Sequence, residues 1–313
     1  MDFLIDAWDF NQHPAKQLQS PSSAAENTWF HFQRDAEGLS EWLTQAGIPE
    51  PLIDAVLEED TRPRFQRLSD GFMLLLRGVN LNTGESPEDM LSLRLLYYKG
   101  ALYSFRKRPF LSIAKLREQL GQQIGPESLN DFIVALIEQL NLRIEDVVSS
   151  AEQQLEAIEG KGFDNTASVQ VKLTALHRRL LRLNRFIRPQ LAALEKLSTE
   201  TEKVMSPELQ QWLINERDTT QRLFEQIDLM LEQVWMQREQ LQQAIAEKMN
   251  RNTYWLSVIA GVFLPLTFLT GVFGINIGGM PGVESEDAFW IFCGAIVIIA
   301  IVEFLLMRRL RFW

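Results

Sequence analysis

One cysteine and three histidines among 313 residues leave this chain almost without soft metal ligands. The lone Cys293 excludes an intrachain disulfide and any multi-cysteine zinc site. Its place inside an apolar run makes it a small buried side chain. His13 and His31 have no second His, Cys or acidic residue at metal-ligand spacing, so both read as structural. Also missing are a Gly-rich phosphate loop, a nucleophile elbow and a pair of catalytic carboxylates, so nothing asks for an enzyme or a resident cofactor. Positive charge is in deficit, the formal net charge being −10, which argues against a nucleic-acid partner because phosphate binding needs a basic surface. The first residues, Met1-Asp2-Phe3-Leu4-Ile5-Asp6-Ala7, have neither a basic leader nor a long apolar core. No cleaved signal peptide is expected, and the N-terminal part is expected in the cytoplasm.

Long apolar runs are absent before Tyr254. Two then follow closely, Tyr254–Phe273 and Ala288–Met307, each of 20 residues, with Glu303 their only charge. At about 1.5 Å rise per residue, a helix of that length crosses a hydrocarbon core of about 30 Å. The lipid bilayer is therefore the first partner predicted. The connecting loop lacks Lys and Arg, whereas Arg238, Lys248 and Arg251 precede the first run and Arg308, Arg309 and Arg311 follow the second. By the positive-inside rule both ends are cytoplasmic and the loop faces outward, in a multi-pass protein of a plasma membrane. Glu303, one turn from Arg308, reads as a snorkelling or ion-paired acid.

The charged remainder divides by its periodicity. Residues 1–106 read as a cytoplasmic α/β subdomain, with strands at Phe3–Trp8, Thr28–Phe32, Phe65–Leu68, Phe72–Leu81, Met90–Tyr98 and Ala101–Arg106, and helices at Leu39–Ala46 and Glu50–Glu58. Residues 107–205 form a helical subdomain, with helices near 110–120, 129–159 and 166–204. Ser206-Pro207 then has the chemistry of an N-cap followed by a first-turn proline. From there a single helix is predicted over 207–273: a stalk, 206–253, that continues into transmembrane helix 1, 254–273. At about 1.5 Å per residue it extends roughly 100 Å. The loop 274–287, transmembrane helix 2, 288–307, and a basic tail, 308–313, complete the chain.

Along the stalk, Phe224, Ile227, Leu231, Val234, Arg238, Leu241 and Ile245 alternate spacings of three and four, a heptad seam with one polar interruption. Either the chain's own helices or copies of the same helix must cover it. Arg238 suggests a hydrated centre. The basic cluster Lys172, Arg178, Arg179, Arg182, Arg185 and Arg188, with His177, is expected to face acids of neighbouring helices, among them Glu145, Glu152, Glu156, Glu216 and Glu225.

On the first span, Thr253, Ser257, Ala260, Leu264, Thr267, Gly271 and Gly274 follow helical spacing, a small and polar stripe set against Phe263, Phe268 and Phe273. Such a stripe serves either a water-filled path or close helix packing. Pro265 frees a backbone carbonyl near position 261. Two helices do not enclose a pore, so conduction requires a homo-oligomer. At the outer end stands Gly274-Ile275-Asn276. A ring of asparagine carbonyls accepts hydrogen bonds from the water shell of a divalent cation, and glycine lets the backbone turn. Glu284, Glu286 and Asp287 follow in the loop, either as entrance acids that focus the field or as a solvated turn.

This arrangement resembles the CorA family of divalent-cation transporters, whose signature at this point is Gly-Met-Asn. Phe273-Gly274-Ile275-Asn276 departs from it by one residue. With Leu264-Pro265-Leu266-Thr267-Phe268-Leu269-Thr270-Gly271-Val272, Gly278-Gly279-Met280-Pro281-Gly282 and Thr61-Arg62-Pro63-Arg64, it is similar to the ZntB branch of zinc transporters of bacterial inner membranes. The resemblance implies a funnel-shaped homopentamer with a cytoplasmic αβα domain, a long helical stalk and a two-helix transmembrane hairpin. It implies that Asn276 and Gly274 form the pore entrance and that Asn250, Leu264 and Thr267 line the pore. Proton-coupled Zn2+ uptake is the expected activity, with Zn2+ as cargo. The alternatives are a Mg2+ or Co2+ channel gated by cytoplasmic ion binding and a membrane-anchored scaffold or sensor.

Overall fold

A computed structural model of the chain describes residues 3–19, 25–59, 62–160, 166–201, 205–275, 282 and 285–309. Two compact units, Met1–Arg238 and Glu239–Trp313, divide it.

The first unit is built on a seven-stranded sheet in the order β2-β1-β3-β7-β6-β5-β4. Its strands are β1 (Leu4–Asp9), β2 (Lys16–Gln17), β3 (Thr28–Gln33), β4 (Arg64–Leu68), β5 (Gly71–Gly78), β6 (Leu91–Tyr98) and β7 (Ala101–Arg106). Among the described residues only β3 and β7 pair in parallel. The crossover between them carries two short helices, α1 (Leu39–Gln45) and α2 (Glu50–Leu57), and the β4–β5–β6 meander. The sheet is covered on both faces, so β5 reads as the continuous run Phe72-Met73-Leu74-Leu75-Leu76 rather than as an alternation. Phe72, Leu74 and Leu76 join one core with residues of α3 (Leu111–Gly121), α4 (Leu129–Glu159), α5 (Thr166–Glu200) and α6 (Pro207–Phe273). Met73 and Leu75 join the other, against α1 and α2. The stretches 1–106 and 107–205 thus share a core.

Tight spots follow local chemistry. Gly71 (φ 155°) opens β5 where a Cβ would overlap the Tyr97 carbonyl oxygen. The Ser128 hydroxyl caps α4 by accepting from the Asp131 N–H at 3.1 Å. Ser206 accepts from the Leu209 N–H at 3.3 Å as Pro207 begins α6, the start its sequence predicts. Strand β2 has two polar residues and no periodicity to reveal it. The strand predicted to end at Leu81 stops at Gly78, and beyond it the Asn80 N–H bonds to the Pro87 carbonyl instead of the sheet.

Up to Arg238, helix α6 buries Thr220, Leu223, Ile227, Met230 and Val234, a heptad register that leaves Phe224 and Leu231 of the predicted seam half-covered. The chain's own helices supply the cover. The Thr220 hydroxyl donates to Asn141 Oδ1 of α4 at 2.9 Å, and the Asn141 amide donates to the Glu216 carboxylate at 2.8 Å. Burial pushes the Glu216 carboxyl above its usual range, while the bond from Asn141 pulls it back. Arg238 does not mark a hydrated centre: its Nη1 donates to His177 Nδ1 of α5 at 3.2 Å. The basic cluster also pairs elsewhere than its spacing suggested. Arg182 meets Asp89 at 3.0 Å and Arg179 meets Glu88 at 3.9 Å, both acids lying in the β5–β6 connection, whereas Glu145 meets Arg222 of α6. Charges on adjacent helices lie close in sequence pattern, but a loop folded over α5 comes closer in space.

His31 is structural, as its isolation implied. It is fully buried on β3, with Nδ1 2.8 Å from the Ser104 hydroxyl. Burial first, then the charges of Arg106 and Arg117, hold its pKa well below 6.5. Above that pH the imidazole is neutral in folded and unfolded chains alike. As pH falls below it, the unfolded chain takes up a proton that the folded one refuses, so stability declines by up to about 1.4 kcal/mol per pH unit. Urea midpoints of the full chain from about pH 7 to about pH 5 will fall more steeply than those of His31→Asn. Equal slopes would refute the assignment.

Candidate metal-ion path

In the second unit, α6 runs to Phe273 without interruption through Pro265, and α7 (Ala288–Arg309) returns. Both carry stretches long and apolar enough to cross a membrane. Each has one half-buried stripe: Tyr254, Val258, Gly261, Val262, Pro265, Leu266 and Leu269 on α6, and Phe292, Cys293, Ile296, Ile299, Ala300 and Glu303 on α7. These are the sides on which the two helices cover each other, and the rings of Phe273 and Phe292 lie 4.9 Å apart.

Thr253, Ser257, Ala260, Leu264, Thr267 and Gly271 are all exposed. At 3.6 residues per turn they fall on the side of α6 turned away from α7-covered positions. Packing within the hairpin therefore does not use the polar stripe. Asn250, one turn before Thr253, is exposed as well. The aromatic residues need correction: Phe263 and Phe268 flank the stripe at this periodicity, and Phe273 belongs to the α7 contact rather than to a face opposite the stripe.

Gly274 ends the helix. Its N–H bonds to the carbonyls of Thr270 (2.9 Å) and Gly271 (3.2 Å), and a Cβ there would lie 2.9 Å from the Thr270 oxygen. Ile275 is exposed beyond it. Asn276 and Glu284 lie outside the described residues. Glu286 and Asp287 are exposed just before α7, where the Asp287 carbonyl accepts from Ile291 N–H at 3.1 Å; carboxylates there also favour the helix N-terminus. Among the described residues no three His, Cys, Asp or Glu side chains come together as a metal cage. What the stripe offers is hydroxyl, amide and backbone oxygen, donors suited to water-shelled cations rather than to stripped zinc.

Two polar atoms on the covered side were not anticipated. Tyr254 Oη and Glu303 Oε2 are buried without a hydrogen-bond partner among the described residues. Glu303 was legible as the lone charge of the spans, but its direction toward α6 was not. The side chain of Arg308, its expected ion-pair partner, lies outside the described residues.

The chain is similar over its full length to known proteins. It is 37% identical over 314 residues to the zinc transport protein ZntB of Vibrio parahaemolyticus, covering 100% of this chain and 98% of that protein. It is 35% identical over 292 residues to the divalent cation transporter CmaX of Pseudomonas aeruginosa, covering 91% of this chain and 87% of CmaX. A solved structure of full-length CmaX superposes with a TM-score of 0.85 at 31% identity, over 100% of this chain and 98% of that one. The pattern of the family described as "CorA-like Mg2+ transporter protein" matches residues 24–309. With its sheet-based unit, its unbroken α6 and its two apolar helices, the chain belongs to the CorA family of divalent-cation transporters.

Proposed function

We propose that the chain is a proton-coupled Zn2+ importer that works as a homopentamer. The observation that carries this reading is the polar stripe on α6, exposed on the side that α7 leaves uncovered. In a bilayer such a stripe requires protein or water against it, and one hairpin supplies neither. Five copies of α6 around a common axis bring Asn250, Thr253, Ser257, Leu264, Thr267 and Gly271 to face one another across a water-filled path. Gly274 and Asn276 form its mouth, and Glu284, Glu286 and Asp287 raise the local cation concentration there. Both termini stay in the cytoplasm, in line with the flanking Lys and Arg.

Zn2+ as cargo rests on the full-length similarity to a zinc transport protein. The ion travels with its water shell, because the stripe has no thiolate or imidazole to replace it. The similarity to CmaX, a divalent cation transporter, favours a second reading, a path for Mg2+ or Co2+ as well as Zn2+.

Purified protein in liposomes loaded with a Zn2+-sensing dye, and in a parallel batch with a Mg2+-sensing dye, separates the two. Uptake of Zn2+ that rises with an inward proton gradient is the expected result. Mg2+ uptake indifferent to the gradient would favour the second reading, and no flux of either ion would overturn both.

A further inference from the structure

The covered sides of α6 and α7 are apolar but for a few polar groups, and one of these is an acid. Glu303 is the only charged residue of the two apolar runs, and its Oε2 is buried with no hydrogen-bond partner among the described residues. The basic tail begins off its side of the helix. Positions 308 and 309 stand five and six residues further along α7, whereas neighbours on one face of a helix stand three or four apart.

What Glu303 meets instead follows from the register of the hairpin. The rings of Phe273 and Phe292 lie 4.9 Å apart. From that contact eleven residues lead back along α6 to Val262, and eleven lead forward along α7 to Glu303. At about 1.5 Å rise per residue both stand roughly 16 Å from the contact, and both belong to the covered sides. Beside Val262 is Gly261, with no side chain to stand between its carbonyl and α7, and Pro265 has no N–H to give that carbonyl. A carbonyl accepts a hydrogen bond and cannot donate one, so it suits a carboxylic acid and not a carboxylate. Two turns nearer the stalk, the Tyr254 hydroxyl is likewise buried without a partner among the described residues. Tyr254 and, toward the loop, Cys293 are the other titratable groups on the two covered sides, and among the described residues of the spans no Lys or Arg lies there.

We propose that Glu303 carries the transported proton, an assignment that rests on proton-coupled import. A proton taken from water on the loop side completes an O–H on Oε2, which donates to the Gly261 carbonyl and holds α7 against α6. Returned to water on the stalk side, the proton leaves a carboxylate with no donor at its level, and a bare charge in apolar surroundings obliges the two helices to part or to admit water. Uptake and release of the proton thus act on α6, the helix whose other side carries the Zn2+ path.

Full-length protein in liposomes tests this through three readouts: exchange of radioactive Zn2+ at equal concentrations on both sides, net uptake under an inward gradient of about one pH unit, and internal pH while Zn2+ enters down its own gradient. Wild type exchanges Zn2+, takes it up severalfold faster with the proton gradient, and acidifies the lumen as Zn2+ enters. Glu303→Gln keeps the size of the side chain and an N–H for the Gly261 carbonyl but has no proton to release. It keeps exchange near the wild-type rate and loses both the gradient response and the acidification, and Glu303→Asp regains part of each. A gradient response in Glu303→Gln equal to wild type would overturn the assignment and leave proton coupling standing. Loss of exchange together with uptake in both variants would make Glu303 a structural residue and overturn it as well. Wild-type uptake indifferent to the gradient would remove proton coupling itself, and the assignment with it.

Discussion

Asn276→Ala is expected to lose Zn2+ uptake by roughly a hundredfold or more while the oligomer stays assembled. In the proposed pentamer each asparagine contributes one amide oxygen to the water shell of the arriving ion. A net contribution of about 0.5–1.5 kcal/mol per hydrogen bond, taken five times, exceeds the 1.4 kcal/mol that makes a factor of ten. Alanine removes the acceptors from all five subunits at once. Assembly rests on other surfaces, so light scattering of the purified variant should match wild type. The liposome assay supplies the rate. Uptake at the wild-type rate would remove Asn276 from the mouth of the path.

The second large effect belongs to the sheet-based unit. Trp29 on β3 is fully buried, its ring 4.2 Å from that of Phe132 on α4, and its Nε1 donates to the Ser104 hydroxyl at 2.8 Å. It thereby ties the sheet to the helical layer and orders the hydroxyl that also meets His31. Trp29→Ala leaves a cavity and strips Ser104 of a partner. Substitutions of this kind cost about 3–5 kcal/mol, a large share of the roughly 5–15 kcal/mol that holds a domain folded. The thermal midpoint followed by near-ultraviolet circular dichroism should fall by roughly 10 °C or more. Trp212→Ala, at a position 54% exposed, serves as the control and should shift it little. Equal shifts in the two variants would contradict the role assigned to Trp29.

Local chemistry was enough for the elements other than β2 and the end of β5. Ser206-Pro207 and the absence of Gly or Pro from Glu208 to Ala260 announce α6 with its observed start, and the two apolar runs announce the spans. Patterns of period two and period 3.6 report which residues share a face, because that information lies within a few residues along the chain. The motif Gly274-Ile275-Asn276, through its position after the first span, carries the resemblance to the family.

What covers a face is a different kind of fact. The seam on α6 had two possible occupants, and only the packing of α4 and α5 against Thr220, Leu223, Ile227 and Val234 decided between them. Arg179 and Arg182 found Glu88 and Asp89 because a connection between strands folds across α5, a juxtaposition that helix spacing does not encode. The stripe from Thr253 to Gly271 was visible as a stripe, but α7 had to choose the other side of α6 before it became a surface in need of partners. In the sequence by itself, short-range periodicity and composition carry the two apolar runs, the family resemblance and every element but β2. Tertiary structure decided which charges meet and which faces remain open, since Coulomb attraction and burial act on distances in space and not on separation along the chain.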